Sequence, residues 1–167
     1  PAWVIGSLVH EALAAWRFPA DPGFDFQRWG EARARGYGIT DSRQLVDAVR
    51  RSRQLLIRFR AHPLYNEMNR ADQRLHEVPY SLVVDGQVES GIIDALYQRD
   101  GTWTLVEFKT DRVRDRADLE RLLADEGYAA QAQRYAAAAE RLLGQRPVCI
   151  FCMLNVRGAI YLHTLAI

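Results

Sequence analysis

One stretch constrains the fold and chemistry of this chain more than any other: residues 91–111, GIIDALYQRDGTWTLVEFKTD. Apolar residues on both sides of the Asp100-Gly101 pair predict two strands joined by a tight turn. Strand residues two apart share a face. Glu107 and Lys109 are therefore expected on one face, and Phe108 in the opposite layer.

Asp94 lies on the first of these strands, within reach of Glu107 if the register permits. An Asp, a Glu and a Lys on one face of the sheet form either a solvated polar surface or a functional site. Lys109 is the only lysine among 22 Lys+Arg residues. Lysine is a compact charge whose pKa its surroundings can move, whereas arginine is a permanently charged fork. Its use at this one position favours a site.

The chemistry that suits this pattern is metal-assisted phosphodiester hydrolysis. Two carboxylates with open coordination positions suit Mg²⁺, which retains several waters. Such an ion would polarise a phosphoryl oxygen and lower the pKa of a coordinated water. Lys109 would hold or deprotonate that water.

Composition indicates one globular domain, because the chain has 167 residues and is 49% hydrophobic. The net charge of +1 indicates no polyanionic partner by itself. A predicted helix over 42–61 nevertheless concentrates arginine, and phosphate contact and a solvated face are equal alternatives for it. Its clustered arginines are Arg50, Arg51, Arg53, Arg58 and Arg60.

No apolar run approaches the roughly 18 residues of a membrane span. No signal-peptide pattern is present either, so a cytoplasmic location is expected. The start at Pro1 without Met suggests a piece of a longer polypeptide. Cys149 and Cys152 form a single CxxC in an apolar run, and a lone pair cannot complete a four-cysteine site. We therefore expect buried strand thiols.

The order of predicted elements indicates an α/β sandwich with a mixed sheet. Apolar spacing predicts a first helix over 5–18 with Ser7 as N-cap, and a loop with one short helix over 19–40. Asp41 or Ser42 caps the next helix. A three-strand antiparallel meander, one long helix or two consecutive ones interrupted near Gly127, and two C-terminal strands follow; they are predicted over 74–110, 118–143 and 147–167.

Four blocks of sequence together resemble a known family. They are G-S-L-V-H-E-A-L at 6–13, H-E-V-P-Y at 76–80, G-I-I-D at 91–94 with E-F-K-T at 107–110, and Q-A-Q-R-Y at 131–135. In this order they resemble the RecB-type PD-(D/E)XK nuclease domain found at the C-terminus of UvrD-like helicases such as RecB and AddA. The resemblance implies a restriction-endonuclease-like core. It also implies a single nuclease domain over 1–167 within a larger helicase-nuclease, with a variable, mostly helical insert at 19–73.

The resemblance also implies roles for individual residues. The Mg²⁺ ligands, with Mn²⁺ as a substitute, would be His10, Asp94, Glu107 and the main-chain carbonyl of Phe108. Lys109 would be the catalytic lysine. Gln131 and Tyr135 would hold DNA or the shape of the site, with Gln133 as the alternative if the register slips, and Glu77 would lie nearby. Without the resemblance, the residues favour a partly buried histidine at position 10, satisfied by a neighbouring backbone group or carboxylate, over a metal ligand.

The implied function is a metal-dependent DNase. It would act on single strands delivered by an adjoining helicase motor, with a partner subunit, in double-strand break repair and recombination. The alternatives are a nuclease-fold module that binds DNA or a partner without cutting, and a metal phosphohydrolase of small molecules. The iron–sulfur subgroup of the family carries four cysteines, so no iron–sulfur cluster is expected here. No G-x-x-x-x-G-K-[ST] motif occurs, so this piece cannot supply the motor.

Overall fold

A computed structural model of the chain describes residues 1–165, apart from the side chain of Glu126. Helices and strands follow one another in the order α1 (Ala2–Ala14), α2 (Phe26–Gly36), α3 (Ser42–Arg60), α4 (Pro63–Asn69), β1 (Gln73–Val84), β2 (Gln87–Arg99), β3 (Thr102–Lys109), α5 (Arg116–Leu123), α6 (Glu126–Leu143), β4 (Val148–Val156) and β5 (Ala159–Leu165).

The five strands form one sheet in the order β1-β2-β3-β4-β5. Only the pair β3–β4 is parallel, and the other three pairs are antiparallel. A parallel pair needs a long crossover, which α5 and α6 supply. The predicted α/β class, the antiparallel meander and the two C-terminal strands are confirmed, and the predicted strand end at 166–167 lies outside the described residues. A mixed sheet flanked by helices is the restriction-endonuclease-like architecture.

Helices cover both faces of the sheet. On one face α1 and α3 pack Leu8 and Phe59 against Val106 and Phe108 of β3. On the other face α6 packs a run of alanines and Tyr135 against alternate residues of β3, among them Leu105. Because strand side chains alternate, Glu107 and Lys109 lie on the α6 side and Phe108 lies in the opposite layer, as predicted.

The segment between α1 and the sheet is helical. Asp41 is the N-cap of α3 and accepts from the Gln44 backbone N–H at 2.8 Å, which confirms the predicted start. Pro63 opens α4 after a break of two residues that follows α3, because the fixed φ of proline suits the first turn of a helix. The loop expected at 19–40 contains the eleven-residue helix α2.

The prediction for the first helix was wrong at both ends. The helix runs over Ala2–Ala14, and its N-cap is Pro1 rather than Ser7. The Ser7 hydroxyl instead donates to the Trp3 carbonyl at 3.0 Å, one turn back in the same helix. The apolar periodicity continued past Ala14 because the rings of the following segment, Trp16 among them, still pack on the core.

The helical region predicted over 118–143 consists of two helices. Asp125 caps α6 by accepting from the Gly127 backbone N–H at 2.8 Å, which ends the continuity with α5. Gly144 closes α6 in the left-handed conformation with φ of 70°. Among the described residues, no helix is both long and apolar enough to span a membrane.

Both cysteines are buried free thiols on β4, as predicted. Burial raises the pKa of Cys149 to about 11, and burial also raises the pKa of Cys152.

Candidate active site

At Asp94, strand β2 leaves its ladder with β3 and skips one pair of its ladder with β1. The β2–β3 ladder runs from Arg99↔Thr102 to Ala95↔Val106 and stops there, one step before Asp94 would face Glu107. The β1–β2 ladder likewise pairs the residues on both sides of Asp94 but not Asp94 itself. Ile93 and Ala95 precede and follow Asp94 on β2. They pack on opposite faces of the sheet, although strand residues two apart normally share a face. The strand therefore twists at this point and frees the Asp94 carboxylate from the regular pleat.

The Asp94 carboxylate joins the strand end to α1. Its Oδ2 accepts a hydrogen bond from the Phe108 backbone N–H at 2.8 Å. Its Oδ1 lies 3.1 Å from Nδ1 of His10. The side chain thus satisfies the backbone donor that the broken ladder leaves on β3, and such bonds to a carboxylate are among the stronger hydrogen bonds in proteins.

His10 contacts the Asp94 carboxylate. This contact agrees both with a metal ligand, as the resemblance implies, and with a partly buried histidine satisfied by a carboxylate. Burial alone would lower the pKa of His10, but the hydrogen bond to Asp94 and the negative charges of Asp94, Glu107 and Glu77 raise it above its ordinary value. The imidazole therefore lies in a strongly negative field.

Glu107 is the most buried acid of the site, with 5% of its surface exposed. Its Oε1 lies 3.3 Å from Nζ of Lys109. Its Oε2 is buried and has no hydrogen-bond partner among the described residues. Burial and the charge of Asp94 raise the pKa of Glu107 to about 7, against the opposing effect of the Lys109 ammonium. A buried carboxylate oxygen without a donor is costly unless a cation or donor reaches it.

Lys109 is held by a short chain of side chains from α6. Its Nζ donates to Oε1 of Gln131 at 2.9 Å, and Nε2 of Gln131 donates to the Tyr135 hydroxyl at 3.0 Å. The same Nζ lies 4.6 Å from the centroid of the Tyr128 ring and 5.3 Å from that of Phe151. Gln133, the alternative to Gln131, is exposed on α6.

Glu77 lies on β1 in the gap of the ladder, next to Asp94. It has a positive φ of 49°, a conformation that costs a non-glycine residue about 1–3 kcal/mol. Partial burial and the charge of Asp94 raise its pKa. Its side chain is exposed and makes no hydrogen bond or ion pair within the described residues, so the structure brings it near the site without joining it to the others.

Two residues that support the site were not singled out from the sequence. Tyr80 packs edge-on against Tyr135, with ring centroids 5.3 Å apart. A Cβ on Gly91 would lie 2.7 Å from the Tyr80 ring, so glycine is needed there. Phe151 of β4 is the second, since its ring flanks Lys109. The recognised blocks contain Tyr80 and Gly91, but only the register shows that they touch.

No group of three or more His, Cys, Asp and Glu side chains within the described residues is close enough to hold a metal ion. His10 and Asp94 instead contact one another directly. The donor chemistry nevertheless fits a hard divalent cation. Asp94 and Glu107 supply carboxylate oxygens, and the buried Oε2 of Glu107 lacks a partner. The residues therefore fit a metal ion of the Mg²⁺ type.

Fold and site together define a class of protein: an α/β domain whose mixed sheet carries two carboxylates and a lysine where two strands separate. The profile of the PD-(D/E)XK nuclease superfamily matches residues 1–164. The chain belongs to this superfamily of nucleases, whose members generally use divalent metals. The resemblance found in the sequence is thereby confirmed.

The chain is also similar to individual proteins. It is 30% identical over 103 residues to an ATP-dependent helicase/nuclease subunit of Heliobacterium modesticaldum, a match that covers 53% of this chain and 7% of that relative. The chain thus spans a small part of the relative's length.

Two solved structures show similarity over most of the chain. Protein VC1899 from Vibrio cholerae has a TM-score of 0.38 and 10% identity, covering 93% of this chain and 48% of that one. SSO0001 has a TM-score of 0.45 and 15% identity, covering 97% and 75%.

Proposed function

We propose that the domain is a metal-dependent DNA nuclease that hydrolyses phosphodiester bonds of single strands. The observation that carries this proposal is the buried end of β3. There Glu107 holds an unpartnered carboxylate oxygen beside Lys109, and Asp94 lies at the point where β2 and β3 separate. A buried acid with a raised pKa, next to a second acid and a lysine, is typical of a functional site.

We assign the metal to His10, Asp94 and Glu107, together with the main-chain carbonyl of Phe108. A bound Mg²⁺ or Mn²⁺ would polarise the phosphoryl oxygen and lower the pKa of a coordinated water. Asp94 has a second task, since its side chain accepts the hydrogen bond of the Phe108 N–H that the broken ladder leaves unpaired, and it contacts His10 of α1.

Lys109 carries the remaining chemistry in this proposal. The Gln131–Tyr135 chain holds its ammonium on the same face as Glu107. A fixed cation there orients the attacking water and offsets the negative charge that develops on the phosphate in the transition state. Gln131 and Tyr135 act as positioning residues, because they touch Lys109 or one another. The surroundings of Glu77 support a role at the edge of the site, near incoming DNA.

The place of the domain in a larger protein is part of the same proposal. The Heliobacterium relative belongs to a helicase/nuclease, and this chain matches a small part of it. We infer that residues 1–167 form a single nuclease domain of a longer cytoplasmic helicase-nuclease, with 19–73 as its helical insert. An adjoining motor, together with a partner subunit, would deliver single strands during double-strand break repair and recombination.

A cleavage assay tests the proposal. A labelled single-stranded oligonucleotide is incubated with the protein in Mg²⁺ or Mn²⁺, and with Asp94→Ala and Lys109→Ala. Removing one electrostatic stabiliser of a transition state lowers kcat by about 10²–10³-fold, so each variant is expected to lose at least that much. Asp100→Asn is the matched control, because Asp100 lies at the exposed turn of the same hairpin.

The outcomes separate the alternatives. Equal cleavage by the parent and both variants would refute the assigned site. Binding of the oligonucleotide without cleavage in either metal would favour the non-cutting module. Turnover of nucleotides in place of oligonucleotides or plasmid would favour a small-molecule phosphohydrolase.

A further inference from the structure

A basic groove lies at the turn between β4 and β5, and Lys109 does not line it. Its volume is about 580 Å³. The cationic side chains that line it are Arg50, Arg51, Arg112, Arg114 and Arg157. No acidic residue lines the groove, although the whole chain has a net charge of only +1. A concentration of one sign of charge in a concave surface attracts polyanions.

The fold fixes these arginines in place. After β3, Val113 pairs in parallel with Val156, and its side chain is 3% exposed. The Val113 N–H donates to the Asn155 carbonyl at 3.0 Å, and the Arg157 N–H donates to the Val113 carbonyl at 2.9 Å. In this extended segment Arg112 and Arg114 flank the buried Val113, so both are exposed beside Arg157. The groove is therefore built on an anchored backbone.

The charge of the groove is largely unneutralised. Within the described part of the chain, no carboxylate lies within 4.0 Å of the guanidinium of Arg112, Arg114 or Arg157. Arg50 and Arg51 share Asp47, at 2.5 and 2.9 Å. Among the described residues, three of the five guanidinium groups thus lack a carboxylate within 4.0 Å, and the other two share one.

The groove leads toward the candidate active site. A second cavity, of about 330 Å³, shares Arg51 and Arg112 with the groove and continues to Gly6 and Thr110, with Asp111 as its acidic residue. Gly6 lies one helical turn before His10, and Thr110 follows Lys109 directly. A Cβ on Gly6 would lie 3.2 Å from Oγ1 of Thr110, so α1 and the end of β3 are closely packed here.

Trp3 forms a wall of the second cavity and is 58% exposed. Trp3, Gly6 and His10 fall on one face of α1, at spacings of three and four residues. The rise of 1.5 Å per residue places Trp3 about 10 Å from His10 along the helix axis. Tyr37 packs edge-on against the indole at 5.7 Å and holds its orientation. An exposed indole beside a cationic groove is a stacking surface for an unpaired base.

We propose that this groove binds the phosphate backbone of a single nucleic-acid strand through Arg112, Arg157 and their neighbours, while Trp3 stacks one base of that strand. The conclusion that the strand leads to a site of cleavage rests on the proposed function. The binding itself does not, so it is testable without metal.

The test measures binding of fluorescein-labelled oligo(dT) in EDTA by fluorescence anisotropy, with Arg112→Gln/Arg157→Asn against Arg141→Ala. Arg141 is an exposed arginine near the C-terminus of α6, which precedes the start of β4, whereas Arg157 follows the end of β4. The control therefore removes a charge at the opposite end of the sheet.

Loss of two phosphate contacts lowers the slope of log K against log[salt] by about 1.4, at about 0.7 per contact for single strands. The affinity ratio of parent to double variant should then fall about sevenfold as salt rises from about 50 to about 200 mM. Arg141→Ala should keep the slope of the parent.

Trp3 is tested by comparing single strands with a duplex. Trp3→Ala should weaken binding of oligo(dT) by about fivefold or more and leave duplex binding unchanged, whereas Trp3→Phe should retain most of the single-strand affinity. Equal effects on both forms of DNA, or none, would overturn the stacking.

Other results would overturn the groove. If the charge acted nonspecifically, each lost arginine would lower the salt slope alike, and Arg141→Ala would lose about half as much of the slope as the double variant. A polyglutamate peptide that competes as well as oligo(dT) of equal charge would assign the groove to an acidic protein segment. If the parent cleaves in Mg²⁺ but the double variant binds oligo(dT) as the parent does, this inference alone is refuted. If the double variant loses binding but the parent does not cleave, the proposed function alone is refuted.

Discussion

Replacing Glu107 by Gln should stabilise the metal-free protein while removing a proposed metal ligand. The carboxylate is 5% exposed, has one unpartnered oxygen and lies near Asp94, and these surroundings raise its pKa from 4.5 to about 7. The folded chain therefore disfavours the ionised form. A neutral amide of the same shape avoids this cost, and Lys109 keeps its hydrogen bond to Gln131 at 2.9 Å.

The magnitude follows from linkage. Each tenfold change in proton affinity corresponds to about 1.4 kcal/mol, so a pKa near 7 against 4.5 costs the ionised carboxylate about 3 kcal/mol. Because the folded state binds the proton more tightly, the parent keeps its full free energy of unfolding below the pKa of Glu107 in the unfolded chain. It loses about 3 kcal/mol of that free energy as pH rises from about 4.5 to about 7. The gain of Glu107→Gln is therefore near zero at the acidic end and about 3 kcal/mol above pH 7.

The assay is urea unfolding of both proteins in EDTA across this pH range, with free energies from linear extrapolation. Glu140→Gln is the control, since Glu140 forms an exposed pair with Arg146 and should change stability by less than about 1 kcal/mol. Added Mn²⁺ should stabilise the parent and not Glu107→Gln, because a ligand stabilises only the state that binds it. A Glu107→Gln protein that is less stable than the parent above pH 7, or whose gain does not vary with pH, would refute the reasoning.

Three further predictions concern the surroundings of the site. Lys109→Arg should lower the rate of single-turnover cleavage about 100-fold, because the planar guanidinium of arginine does not match the compact ammonium that Gln131 of α6 holds. A rate within threefold of the parent would contradict this prediction. Gly91→Ala should destabilise the domain by about 1–3 kcal/mol in urea unfolding, since its Cβ would lie 2.7 Å from the Tyr80 ring; an unchanged midpoint would argue against that packing. Cys149 and Cys152 should resist a disulfide reagent in the folded protein and react in guanidinium, because both thiols are buried; rapid reaction of the native protein would show that they are accessible.

The hairpin that carries the site was predictable because its signals are local. The Asp100-Gly101 turn and the alternation of β3 place Glu107 and Lys109 on one face without any tertiary information. Gln131 and Tyr135 were named from the family resemblance, and their spacing of four residues places both on one face of α6. These parts of the site depend on spacing along one element.

The break in β2 was not predictable in the same way. Asp94 reaches β3 because the ladder stops at Ala95 and its carboxylate takes over the Phe108 N–H, a long-range event that no local pattern encodes. The extent of α1 was missed for a related reason, since packing of Trp16 on the core continued the apolar period beyond the helix. Phe151 comes from a parallel neighbour strand, and register between distant segments depends on the whole fold.

The central claim is that His10, Asp94 and Glu107 hold a divalent metal ion, and anomalous diffraction from a crystal soaked in Mn²⁺ tests it most directly. Hard oxygen ligands at the end of β3 predict a manganese peak between these three side chains, lost in crystals of Glu107→Gln. A soaked crystal with no peak at this position, or with a peak unchanged in Glu107→Gln, would contradict the account.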